Sequence, residues 1–175
     1  MVTNPDLVVA LTFIPLAVAI IYMDVRYRRI PNKLVLVTLL VGLSLNTVFG
    51  GSQGLLVSVG GFALAFGLMF FLHLFGTMGA GDVKLFAAIG AINGVSLVLP
   101  TLLVVALIGG LIAICKMVCA RRVGATMFGV FHFFYGLLPG QTVPRFEVPA
   151  DRSITLPYAV PICFGSLITF ILFRA

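Results

Sequence analysis

Long apolar runs separated by short polar loops organise the chain. The first run covers about 7–23 and carries Pro15, a residue able to kink it. A basic loop follows from Asp24 to Lys33, DVRYRRIPNK in one-letter code. Pro31 has no amide hydrogen to donate, so it breaks or starts a helix there. A second run spans about 34–49, and an uncharged glycine-rich loop, 50–54, leads to a third over about 55–75. Gly60, Gly61, Ala65 and Gly67 lie within that third run, and small residues of this kind let helices approach closely.

Residues 76–82, GTMGAGD, form a glycine-rich turn that opens a fourth helix over about 83–92. This helix is short for a full span, and it either continues past Asn93 and Gly94 towards residue 99 or stops part-way. A fifth run covers about 97–118, with Pro100 in its first turns, and a last one about 156–173. Between them lies the longest polar region, 116–152, within which 125–138 is apolar but too short to cross a bilayer. That segment reads as an interfacial or re-entrant helix. The pattern predicts an all-α polytopic membrane bundle of about six transmembrane helices, organised as a single domain over 1–175.

Composition supports the same class. Of 175 residues, 61% are hydrophobic and only 9% charged, whereas a soluble domain carries about a quarter charged residues. A surface so poor in charge faces lipid. The net charge of +6 would suggest nucleic acid in a soluble protein, but here the basic residues cluster in loops. They read as topology determinants and headgroup contacts, and no nucleic-acid partner is expected. Arg26, Arg28, Arg29 and Lys33 fall in the first loop, Lys84 after the third run, and Lys116, Arg121, Arg122, Arg145 and Arg152 around the fifth. The positive-inside rule places these odd-numbered loops in the cytoplasm; only Arg174 lies outside the pattern. The first run lacks a basic segment before it and a small-residue cleavage site after it, and reads as a retained helix. Cys115, Cys119 and Cys163 form no C-x-x-C pair and read as small residues packed in the bundle; no metal site or cofactor is expected.

Only five acids exist, and two are unusually placed: Asp24 ends the first run and Asp82 begins the fourth helix, both on the predicted cytoplasmic side. Taken singly, Asp24 balances Arg26 or Arg28 and Asp82 serves as a helix N-cap. Taken together at one depth, they suit a coupled pair that shares a proton, one member activating water while the other polarises a carbonyl. Gly79 and Gly81 fit this role by permitting unusual backbone conformations and close approach of a substrate strand. A proton- or cation-coupled transporter is the alternative class, although such proteins place their acids near mid-membrane. An inactive assembly factor is another.

Two motifs then identify a resemblance. Asp24 followed six residues later by Ile30-Pro31-Asn32, and Gly79-Ala80-Gly81-Asp82, resemble the paired active-site motifs of the type IV prepilin peptidases, the second being their GxGD signature. The segment from Leu156 through Pro157 and Tyr158 to Pro161 is also similar to the one that opens that family's last helix. The resemblance implies a membrane aspartic endopeptidase that removes the short leader from prepilin or pseudopilin precursors. Cleavage would occur at the cytoplasmic face of the inner membrane, with Asp24 and Asp82 as the catalytic pair. Gly79, Gly81, Lys84, Pro31, Asn32 and Tyr158 are expected to support the site or contact substrate, although Lys84, two positions from Asp82, also reads as snorkelling to headgroups. Glu147 and Asp151 suit a basic leader. His73 and His132 read as interfacial packing. Larger members of that family carry an amino-terminal cysteine extension and also methylate the product. The extension is not seen ahead of the first run, so peptidase activity without methylation is expected, as in the short Flp/Tad-pilus forms.

Overall fold

The computed structural model describes residues 5–75, 78–119 and 158–174, and all of its regular structure is helical. The elements are α1 (Pro5–Tyr27), α2 (Asn32–Leu74), α3 (Ala80–Asn93), α4 (Val95–Cys119) and α5 (Ala159–Arg174). Three of them, α1, α2 and α4, are long and apolar enough to cross a membrane. The expectation of about six spans is therefore met only in part. The segment 125–138, together with Glu147, Asp151 and His132, lies outside the described residues.

The second and third apolar runs are joined in α2, whose helix is broken at Gly51, with φ 57° and ψ −141°. That φ is open to glycine at little cost and to few other residues. A straight 43-residue helix would be about 65 Å long. Yet Asn46 and Ser58, on either side of Gly51, both hydrogen-bond to the carbonyl of Ala91. Twelve helical residues would separate them by about 18 Å, so α2 doubles back at Gly51 as two packed arms.

Between those arms sits α3. It is 14 residues long, about 21 Å, too short to span. Val83 and every residue from Leu85 to Asn93 are buried, which is how a helix apolar on all sides is accommodated. The close approach depends on small residues. A Cβ on Gly42 would sit 2.8 Å from the Ile92 backbone nitrogen, and one on Gly90 would sit 2.5 Å from the Ala65 Cβ. One on Gly61 would run into the Gly90 carbonyl. Gly67 differs from the sequence expectation, because a Cβ there meets open space.

α3 stops at Asn93, where Gly94 at φ 76° turns the chain into α4. A helix end inside a membrane bundle must satisfy its last carbonyls within the protein. Gly94 N–H donates to Gly90 O (2.9 Å), Asn46 Nδ2 donates to Ala91 O (2.8 Å) and Ile92 O (3.2 Å), and Ser58 Oγ–H donates to Ala91 O (2.6 Å). Asn93 Nδ2 then reaches Thr101 Oγ1 on α4 and Ser166 Oγ on α5, both at 3.0 Å. The outer surface is apolar: Leu99, Leu103, Leu107 and Leu111 form an exposed i, i+4 stripe along α4. Cys163 is buried, but Cys115 and Cys119 are exposed on α4, so packing accounts for only one of the three cysteines.

Candidate active site

Asp24, Asp82 and the start of α5 meet at the end of the bundle opposite Gly51 and Gly94. Asp24 lies in the last turn of α1, and its own backbone carbonyl accepts a 2.9 Å bond from Arg28 N–H. Arg28 has φ 53°, a left-handed conformation in the position that more often holds glycine after a helix. The side chain of Asp24 is buried, and its Oδ2 accepts a 3.1 Å bond from the backbone N–H of Ala159, the first residue of α5. The Arg28 guanidinium also acts on it electrostatically.

Asp82 occupies the third position of α3. Its carboxylate reaches back to the backbone N–H of Gly79, the N-cap residue, which is one half of a capping box. Burial, and then the negative charge of Asp24, push its carboxyl from 3.8 up to about 6, with the Gly79 bond opposing them. The two acids thus come from separate helices and sit within electrostatic range of one another. Tyr158, immediately before α5, is half-buried, and its phenol is raised by burial and by the charge of Asp82.

The glycines work through space. Gly79 has φ −74°, open to any residue, and the left-handed glycines among the described residues are Gly51 and Gly94. What Gly79 provides is room, since a Cβ there would sit 3.1 Å from Asp82 Oδ2. A Cβ on Gly81 would meet Ile30 at 3.9 Å, an ordinary contact that shows how the two sequence motifs pack together. The expectation of special backbone conformations at Gly79 and Gly81 is corrected accordingly.

The remaining expected residues divide. Pro31 is the N-cap of α2 and accepts bonds from Leu34 N–H (3.0 Å) and Val35 N–H (3.3 Å). Asn32 is exposed at the first position of α2, and Lys84 is exposed on α3, turned from Asp82 by two helical positions. Neither is gathered with the pair.

Ala159 escaped the sequence reading, because it acts through its backbone amide and no side-chain pattern announces that. Arg28 is one of the arginines expected to balance Asp24, and the structure adds its left-handed backbone. His73 forms a 2.7 Å bond between Nδ1 and Met78 O, just ahead of Gly79. Because a carbonyl only accepts, Nδ1 carries the hydrogen. The His73 ring also packs tilted against Phe70, with centroids 6.4 Å apart, so the expected packing role is joined by a hydrogen-bond partner.

The model of the family described as the Type IV leader peptidase family matches residues 11–114, a stretch that contains both aspartates and ends before α5. No curated protein and no solved structure matches the chain.

Proposed function

The chain belongs to the type IV leader peptidase family, whose members act on prepilin-like precursors, and we propose that it is an aspartic endopeptidase using Asp24 and Asp82 as a water-activating pair. One observation carries this reading: two acids from separate helices lie within electrostatic reach of each other at one end of the helical bundle. Like charges so placed resist joint ionisation, so the pair retains one proton across a broad pH range. A pair with one proton holds both a base and an acid. The base removes a proton from water as its oxygen attacks the scissile carbonyl, and the acid protonates the carbonyl oxygen.

The location suits a precursor whose leader precedes a membrane helix. The cut then lies at the membrane boundary, at the depth of the pair. Arg26, Arg28, Arg29 and Lys33 surround that end of the bundle, and the positive-inside rule assigns it to the cytoplasm. Tyr158, Gly79 and Gly81 lie at the pair, where substrate backbone would approach.

The test is co-expression with a leader-bearing precursor, following leader loss by mass shift. Asp24→Asn and Asp82→Asn should each lower cleavage by at least about 100-fold, the usual contribution of a general acid or base. Cleavage that persists in either variant removes that residue from the mechanism.

A further inference from the structure

The two aspartates are not equivalent in their surroundings. Asp24 Oδ2 accepts the first backbone N–H of α5, so the positive end of a 16-residue helix points at it. Burial works against the ionised form of Asp24, and the Ala159 amide and then the Arg28 guanidinium oppose that effect. Arg28 is held there at φ 53°, a left-handed conformation that non-glycine residues rarely adopt. Backbone strain of this kind points from an observed outlier to a role. Among the described residues, Asp82 is acted on by the amide of Gly79, with Asp24 and Tyr158 as its titratable neighbours. Cys163 of α5 faces Asp24 from the buried side.

Resting on the peptidase reading, we propose that the Ala159 amide and Arg28 divide the labour of the pair: Asp24 is the ionised base, and Asp82 is the acid that carries the shared proton. In the first step Asp24 takes a proton from water, the water oxygen bonds to the scissile carbonyl carbon, and Asp82 gives its proton to the carbonyl oxygen. In the second, Asp24 gives its proton to the leaving nitrogen as the C–N bond breaks. Asp82 recovers a proton from the tetrahedral hydroxyl as the carboxylic product forms. Both groups return to their starting states. The elevated titration of Asp82, to about 6, agrees with this division. Ala159 and Arg28 are positioning residues, acting through Asp24.

The fold supplies two independent tests. Ala159 is the first residue of α5, where the helical backbone accepts proline although the added ring must pack into a fully buried position, and Ala159→Pro deletes the N–H that reaches Asp24. Arg28→Gly removes the guanidinium while placing the residue best suited to φ 53°. Each variant should move the acidic limb of the cleavage pH profile to higher pH, by about one unit for Ala159→Pro. The alkaline limb and KM should stay in place while kcat falls. Arg28→Gly should do so with unchanged or increased thermal stability, and Arg28→Lys should return the limb towards its original position. Movement of the alkaline limb instead, or a fall in kcat with neither limb moving, overturns the division.

A second measurement separates this proposal from the peptidase reading itself. Isotope-edited infrared titration of the aspartate carboxylates, in the Asp82→Asn background and without substrate, follows Asp24 alone in the site. Adding Ala159→Pro should make its ionised band disappear at higher pH. An unmoved band overturns the proposal even if cleavage occurs. A moved band in a chain that cleaves no precursor supports the charge assignment and refutes the peptidase reading.

Discussion

The carbonyl of Ala91 offers a sharp test of how α3 is held. It accepts from Asn46 Nδ2 at 2.8 Å and from Ser58 Oγ at 2.6 Å, one donor from each arm of α2. Asn46→Ala removes the first donor and also the 3.2 Å bond to Ile92 O. Ser58→Ala removes only the second. Either variant alone leaves Ala91 O with one partner, whereas the double variant leaves it with neither of these side-chain donors. A buried acceptor stripped of partners costs about 1–3 kcal/mol, and side-chain hydrogen bonds between membrane helices contribute about 0.6 kcal/mol on average. Ser58→Ala should therefore cost about 0.5–1 kcal/mol, and Asn46→Ala about 1–2 kcal/mol because Ile92 O is affected too. The double variant should exceed their sum by about 1 kcal/mol. Reversible unfolding in mixed micelles, read as a double-mutant cycle, gives all three values. Additivity within about 0.3 kcal/mol would refute the shared-acceptor argument. Asn46→Asp adds a control of sign: it sets an acceptor against two carbonyl acceptors and should be worse than alanine.

Two further predictions follow from burial. Because the folded carboxyl of Asp82 titrates at about 6 against 3.8 unfolded, the native state holds a proton that the unfolded chain releases between those values. The contribution of Asp82 to stability must then fall as pH rises from 3.8 to about 6, and Asp82→Asn should flatten the slope of unfolding free energy in that window. An unchanged slope would contradict the burial of this group. Gly90→Ala would bring a Cβ to 2.5 Å from Ala65 Cβ and 2.6 Å from Gly61 O, so α2 and α3 must part at a cost of about 1–3 kcal/mol. Gly67→Ala, facing open space on the same long helix, should leave the unfolding midpoint unchanged or raise it.

Much of the fold was legible because lipid enforces a simple rule: apolar runs become helices. The start of α3 at the GxGD motif and the extent of α4 follow from it. The pair itself was legible because ionisable groups at the edges of apolar runs are rare. What the pattern does not carry is which helix lies innermost. α3 looks like a weak span in sequence, and its shortness marks a helix enclosed between the arms of α2. Asn46, Ser58 and Asn93 look like incidental polar residues in apolar runs, and their meaning depends on a carbonyl or hydroxyl 33 to 73 positions away. Ala159 is harder still, because the relevant group is an amide that every residue except proline possesses.

The enclosure of α3 also bears on how the protein comes into being. A helix without a lipid-facing side gains nothing from the bilayer directly, so neighbouring protein must receive it. The two arms of α2 are made before it, but Ser166, which completes the Asn93 cluster, is synthesised 73 residues later. The amide that reaches Asp24 is separated from it by 135 residues. The end of the bundle that holds the two aspartates is therefore assembled from segments far apart in the chain. A nascent chain that has not yet produced α5 contains both aspartates but lacks the helix that orients the first of them.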